Sequence, residues 1–243
     1  MRDAQTHSVG LLRRVSLVIR AERWLTATWP FVSTQLPTAP AAVLEIGCGS
    51  RGGFIPTLLS NGYEAIGVDP EAPATADYRR TEFEQYERAQ PVDAVVACTS
   101  LHHVADLDNV LDRVAAVLAP GGTLVVVEWA WERFDQATGQ WCFTRLARRS
   151  TADEPGWLHA HRAEWAASHH AWDVFQRQWA RQEHLHTGEA ILRALVTRFE
   201  QRNYARGPYF FADLDDTAET DEQAAIDTGE IQATCIRYTG IRR

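Results

Sequence analysis

Residues 43–53 read Val43-Leu44-Glu45-Ile46-Gly47-Cys48-Gly49-Ser50-Arg51-Gly52-Gly53. A short aliphatic run, entered past Pro37 and Pro40 and ending in glycines, has the pattern of a strand buried on both faces of a parallel sheet. Phe54 to Leu59 then reads as a helix closed by Asn61-Gly62. A second strand, Glu64 to Val68, ends at Asp69-Pro70, and a weaker one spans Tyr78 to Thr81. Val92 to Ala97 is a further strand. Val104, Leu107, Val110, Leu111, Val114 and Leu118 carry the spacing of an amphipathic helix over 104–118. Pro120-Gly121-Gly122 stops that helix, and Thr123 to Val127 is the strongest strand. Alternating strands and helices of this kind predict an α/β, doubly wound, Rossmann-like sheet.

Four regions follow from the pattern: an N-terminal helical segment (1–40), the α/β core (41–128), an insertion (129–186) and a C-terminal completion of the sheet (187–243). The insertion holds Trp129, Trp131, Trp141, Trp157, Trp165, Trp172 and Trp179, seven of the nine tryptophans. It reads as a helical cap at the strand ends, its aromatic residues suited to walling a planar or apolar small molecule. After it, 187–197 reads as a helix, 198–209 and 231–241 alternate as strands, and an acidic helix covers 221–227.

The formal charge is −8, the wrong sign for non-specific binding to a phosphate backbone, so no nucleic-acid partner is expected. Arg13, Arg14 and Arg20 interrupt the N-terminal apolar stretch, so no signal peptide or membrane partner is expected either. Four scattered cysteines without a CxxC pair suggest reduced thiols and a cytoplasmic enzyme.

The turn from Gly47 to Gly52 is where a ligand belongs. Its glycines let the backbone approach closely, and the free amides at the helix start favour an anionic group. The spacing matches GxGxxG, with Asp69 at the distance of a ribose-binding acid, so an NAD(P)-dependent oxidoreductase is one reading. Glu45 argues against it: a dinucleotide site keeps an aliphatic residue there, and a buried carboxylate needs a cationic or amide partner. The ammonium of S-adenosylmethionine is such a cation. No lysine occurs, so the Tyr-x-x-x-Lys pair of many dehydrogenases is missing as well.

Four segments in order, VLEIGCGS (43–50), AIGVDP (65–70), VDAVVACTSLHHV (92–104) and LAPGGTLVVVEW (118–129), resemble the class I S-adenosylmethionine-dependent methyltransferases of small molecules. The resemblance implies a seven-stranded sheet with an antiparallel last strand. It implies S-adenosylmethionine as cofactor and S-adenosylhomocysteine as product. It assigns Glu45, Gly47, Cys48 and Gly49 to the methionine portion of the cofactor, Asp69 and Pro70 to its ribose, Glu82 and Phe83 to adenine, and Thr99 and Ser100 to the neighbourhood of the sulfonium. Arg51 stands where the family has its third glycine, which implies a turn one residue longer.

Methyl transfer from an activated sulfonium depends on positioning, with a base where the nucleophile carries a proton. His102 and Glu128 are the expected catalytic residues. His103 is read instead as capping or packing against the following helix. Trp129, Trp131 and Trp141 are expected at a small, aromatic or apolar acceptor. Relatives acting on quinone precursors or small-RNA ends carry a metal-binding Glu-x-x-Glu-His after the fourth strand. Thr99, His102 and His103 occupy those positions here, so no metal is expected. A non-catalytic regulatory protein that binds S-adenosylmethionine is the remaining alternative.

Overall fold

A computed structural model describes residues 20–146 and 156–243; the expected helix before residue 20 lies outside the described residues. Seven strands, β1 (Ala42–Ile46), β2 (Glu64–Val68), β3 (Tyr78–Arg79), β4 (Val92–Cys98), β5 (Leu118–Trp129), β6 (Phe199–Gly207) and β7 (Cys235–Arg242), form one sheet in the order β3-β2-β1-β4-β5-β7-β6. The first five pair in parallel, and β7 runs antiparallel to β5 with Val126 opposite Tyr238. Both features agree with the sequence expectation. The helices are α1 (20–35), α2 (Ile55–Ser60), α3 (Leu107–Val117), α4 (Gln136–Thr144), α5 (Trp157–Ser168), α6 (Trp172–Gln182), α7 (Gly188–Arg198) and α8 (Glu219–Asp227).

The described residues divide into two compact units. The sheet unit comprises Trp29–Trp131, Arg181–Arg206 and Cys235–Arg243. Its core is aliphatic: Leu44, Val95, Leu111, Leu124, Val126, Ile191 and Leu195 are fully buried. At the local level α3 begins at Leu107, three residues later than the apolar spacing implies. Asp106 is the reason, since its carboxylate accepts the Asn109 amide at 3.0 Å and caps the helix. Residues Leu101–His103 form a separate 3-10 turn instead. The β5 strand starts earlier than read, because Leu118 already pairs with Val92 before the Pro120-Gly121-Gly122 stretch loops out and Thr123 resumes opposite Ala94.

The helical unit comprises the described residues up to Thr28, with Glu132–Ala180 and Gly207–Thr234. Residues 207–234, read as part of the sheet's completion, belong to this unit instead. Phe210 sits 4.5 Å from Phe134, ring centroid to centroid, and Arg23 donates to the carbonyls of Phe211, Leu214 and Thr217. Phe134 also meets Trp172 edge-on at 5.1 Å and stacks on His161 at 6.0 Å. His161 is buried among these rings, its Nε2 2.8 Å from Gln176 Oε1, and burial lowers its pKa to about 4. Glu222 on α8 is also buried and accepts the Tyr209 and Phe211 amides at 2.8 and 2.7 Å. Burial pushes its carboxyl up to about 7 against the pull of those donors.

Candidate active site

The sheet order reverses between β1 and β4, and ligands of open α/β sheets bind outside the carboxyl ends of strands at such a point. A cavity of about 780 Å³ opens there. The ends of three strands line it: Ile46 and Gly47 after β1, Val68, Asp69 and Pro70 after β2, and Thr99 and Ser100 after β4. Glu82, Phe83, Glu84 and Gln85 form one wall, and His103, Val104 and Ala105 another.

The glycine turn requires backbone that other residues resist. Gly47 and Gly49 have φ of +76° and +64°, and Gly52 and Gly53 are also in the left-handed region. A Cβ on Gly49 would meet nothing within 4 Å, so that side of the turn is open, whereas one on Gly47 would collide with Ser100. The turn runs on through Arg51 to Gly53 before α2 begins at Ile55, the longer form implied by Arg51.

Asp69 is half-buried, and its carboxylate is oriented by the protein: Oδ2 accepts the Gly49 amide at 3.0 Å and Oδ1 the Glu71 amide at 2.7 Å. A carboxylate offers about four acceptor positions, so each oxygen keeps one beyond its backbone amide. Ser100 Oγ is buried and has no hydrogen-bond partner among the described residues. Gly47, Gly49, Asp69, Pro70, Glu82, Phe83, Thr99 and Ser100 are therefore brought together as expected.

Glu45 and Cys48 are not on the cavity wall. Glu45 is 2% exposed, and its carboxylate accepts the Phe54 amide through both oxygens, at 3.1 and 2.8 Å. The amide partner it needs comes from the start of α2. Burial raises its pKa to about 8, and a Cβ on Gly53 would strike its carboxylate. Glu45 thus ties the end of the glycine turn to β1. Cys48 is buried, and burial together with the Glu45 and Asp69 charges pushes its thiol up to about 12, so it stays protonated.

His102 and Glu128 form a pair behind the wall. Glu128 is 0% exposed; its Oε1 accepts the Ser100 and Leu101 amides at 2.7 and 2.5 Å, and its Oε2 lies 2.6 Å from His102 Nδ1. His102 is 4% exposed and does not line the cavity. With both oxygens engaged, Glu128 fixes the turn after β4. The residue that does reach the cavity is the neighbouring His103. Sequence reasoning gave it the capping role that Asp106 fills. A 3-10 turn breaks the alternation of β4, so strand parity could not tell which of the two histidines faces outward.

Trp129, 3% exposed, stands edge-on to His102 at 6.2 Å, and the half-buried Trp131 donates Nε1 to the His186 carbonyl at 3.1 Å. Trp141 is buried in the helical unit under the Arg145 guanidinium, 3.9 Å above its ring. None of the three lines the cavity. Among the described residues no group of three or more His, Cys, Asp or Glu is arranged to hold a metal ion, and no helix is long and apolar enough to cross a membrane.

A model of the methyltransferase domain matches residues 20–203, a range that holds the glycine turn, the oriented acid after β2 and the cavity. The chain belongs to the methyltransferase family. The methyl donor of that family is S-adenosylmethionine. Curated relatives of this methyltransferase include ubiquinone biosynthesis O-methyltransferases. That of Bradyrhizobium sp. (strain ORS 278) is 36% identical over 97 residues, covering 35% of this chain and 38% of its own. That of Rhodopseudomonas palustris (strain HaA2) is 29% identical over 160 residues, covering 59% and 56%. The matched stretch is thus little more than half of these relatives' length, or less. Among solved structures, a putative S-adenosylmethionine-dependent methyltransferase from Listeria monocytogenes superposes with a TM-score of 0.55 at 13% identity, covering 90% of this chain and 99% of that one. The N-methyltransferase NodS from Bradyrhizobium japonicum WM9, in complex with S-adenosylhomocysteine, gives 0.52 at 16%, covering 89% and 86%. At such identities the methyltransferase shares their fold.

Proposed function

We propose that this chain moves the methyl group of S-adenosylmethionine to a hydroxyl of a small aromatic acceptor. The observation that carries the reading is the cavity at the strand ends, where the open face of Gly49 meets an Asp69 carboxylate with free acceptor positions. Its volume is of the size of small-molecule sites, about 300–1,000 Å³. The choice of oxygen is supported by the O-methyltransferases among the curated relatives.

In this reading Asp69 takes the two ribose hydroxyls on the acceptor positions left by Gly49 and Glu71. Phe83, buried on the opposite wall, offers its ring to the adenine, and the exposed Glu82 can accept from the exocyclic amine. The main chain of Gly47 and Gly49 holds the amino-acid end. Ser100, whose hydroxyl has no hydrogen-bond partner among the described residues, lines the same cavity and is read as a neighbour of the reacting centre. The bound donor supplies an activated methyl group, and the protein's part is to fix geometry and exclude water. Trp129 then acts through His102, which its ring meets edge-on, and Trp131 through His186, to whose carbonyl it donates. A cytoplasmic setting is part of the reading and is supported by four buried cysteines, none of which forms a disulfide among the described residues. The charge of −8 supports a small-molecule acceptor over nucleic acid.

Calorimetric titration of the protein with S-adenosylhomocysteine and with NAD tests the cofactor. Binding of the first and none of the second is expected; NAD binding alone sinks the reading. Incubation with S-adenosylmethionine and catechol, the simplest aromatic with adjacent hydroxyls, tests the acceptor class by formation of S-adenosylhomocysteine.

A further inference from the structure

We propose that His103, and not the buried His102, takes the proton of the acceptor hydroxyl; the inference rests on the reading of an O-directed methyltransferase above. His103 is exposed and lines the cavity beside Thr99 and Ser100. Its position is fixed from several directions. Its own amide donates to the Ser100 carbonyl at 3.2 Å. One residue binds the carbonyls of both chain neighbours: the His186 amide donates to the His102 carbonyl at 3.0 Å, and His186 Nε2 lies 2.8 Å from the Val104 carbonyl. His186 is in turn held by Trp131 Nε1 on its carbonyl. The His103 ring leans on the His102 ring at 4.2 Å between centroids, and His102 is locked by Glu128. The segment 102–104 is thus pinned at three backbone points, and the His103 ring is backed by the buried His102–Glu128 pair. Such preorganisation is what a proton acceptor in a transition state requires.

The electrostatic surroundings favour a neutral ring. Partial burial and the facing His102 lower the His103 pKa from 6.5, with Glu128 and Glu183 pulling the other way. Asp69, Glu82 and Glu84 line the same cavity. A ring below its ordinary pKa is unprotonated at neutral pH and free to accept. In the step itself the acceptor oxygen forms its bond to the methyl carbon as the carbon–sulfur bond breaks. That electron pair returns to sulfur, giving a neutral thioether, while the hydroxyl proton passes to a ring nitrogen of His103. The exposed ring then releases the proton to solvent. His102 and Glu128 are positioning residues in this scheme.

The test is formation of S-adenosylhomocysteine from S-adenosylmethionine and catechol between pH 5 and 9, for the wild type and for His103→Gln and His102→Gln. S-adenosylhomocysteine affinity is measured alongside by calorimetry. The wild-type rate should fall as pH drops through a pKa below 6.5. His103→Gln should lose that limb and about 10²–10⁴-fold in kcat, the usual range for a general base, while still binding S-adenosylhomocysteine. His102→Gln should keep the limb with its pKa shifted upward, because the neighbour that lowers it is gone. A His103→Gln enzyme with full rate and an unchanged profile overturns the assignment. So does a limb lost in His102→Gln and kept in His103→Gln. If the wild type binds S-adenosylhomocysteine but turns over no catechol at any pH, the hydroxyl-acceptor reading fails instead.

Discussion

The two units are built from different side chains. The sheet unit packs valine, leucine, isoleucine and alanine between parallel strands; the helical unit packs Phe134, Trp172, Phe175 and Phe210 around a histidine. Each nevertheless buries glutamates that accept backbone amides from turns: Glu45 at the start of α2 and Glu128 after β4 in the sheet unit, and Glu222 at residues 209–211 in the helical unit. Where a turn's amides are cut off from water, a carboxylate is a compact way to satisfy two or more at once. The difference lies in what the fixed turn does. Glu45 steadies a glycine turn on a cavity, while Glu222 steadies one within the core of its own unit. A buried carboxylate therefore marks a turn that must be held, and only its surroundings tell whether that turn serves a ligand.

The largest effect expected is on the aromatic core. Phe134→Ala should destabilise the protein by about 3–5 kcal/mol, the range for a truncated buried aromatic. Chemical denaturation measures this, and a loss below 1 kcal/mol would mean the cluster is loosely packed.

The carboxylates should separate the units by pH. Glu45 and Glu222 have folded pKa values of about 8 and about 7, against 4.5 when unfolded. Between these limits the folded state binds more protons, so each contributes stability that is lost as pH rises from about 4.5 through 7 or 8. His161 has the opposite sign: its folded pKa is about 4 against 6.5, so it contributes stability that grows as pH rises through that interval. Each unit thus contains opposed slopes, since the lowered His103 pKa acts in the sheet unit as that of His161 does in the helical one. In Tm measured from pH 4 to 9, Glu45→Gln should flatten the decline up to pH 8, and Glu222→Gln the decline up to pH 7. His161→Leu should remove the rise between pH 4 and 6.5. An unchanged pH profile in all three variants would break the comparison.

Asp69→Ala sharpens it at the site. Loss of charge-assisted hydrogen bonds costs about 1.5–3 kcal/mol, roughly ten- to a hundred-fold in S-adenosylhomocysteine affinity by calorimetry. Trp141→Ala, in the helical unit, should leave that affinity nearly unchanged. An equal loss in both variants would assign the cofactor to a different place. The smallest effect belongs to the exposed Arg177–Asp173 pair on α6, 2.7 Å apart. Asp173→Ala should leave Tm within error, since such pairs contribute little.

The sequence by itself determined the sheet. Strands buried on both faces must be continuous aliphatic runs, and the runs at 42–46, 64–68, 92–98 and 123–127 are punctuated by glycine, proline and aspartate, so strand positions and the order of the α/β units could be read directly. The family resemblance carried by the four sequence segments also implied one site for Gly47, Gly49, Asp69, Phe83 and Ser100, and all five line one cavity. Only the tertiary structure decided that Glu45 turns to the Phe54 amide, that Glu128 is consumed by His102 and the Ser100, Leu101 and Trp129 amides, and that His103 faces the cavity. The helical unit is assembled from segments far apart in the chain, and no local period encodes which of its tryptophans meet. The direction of a side chain in a turn, and the partner of a buried charge, are set by contacts between distant residues; periodicity reports only which face of a regular element is buried.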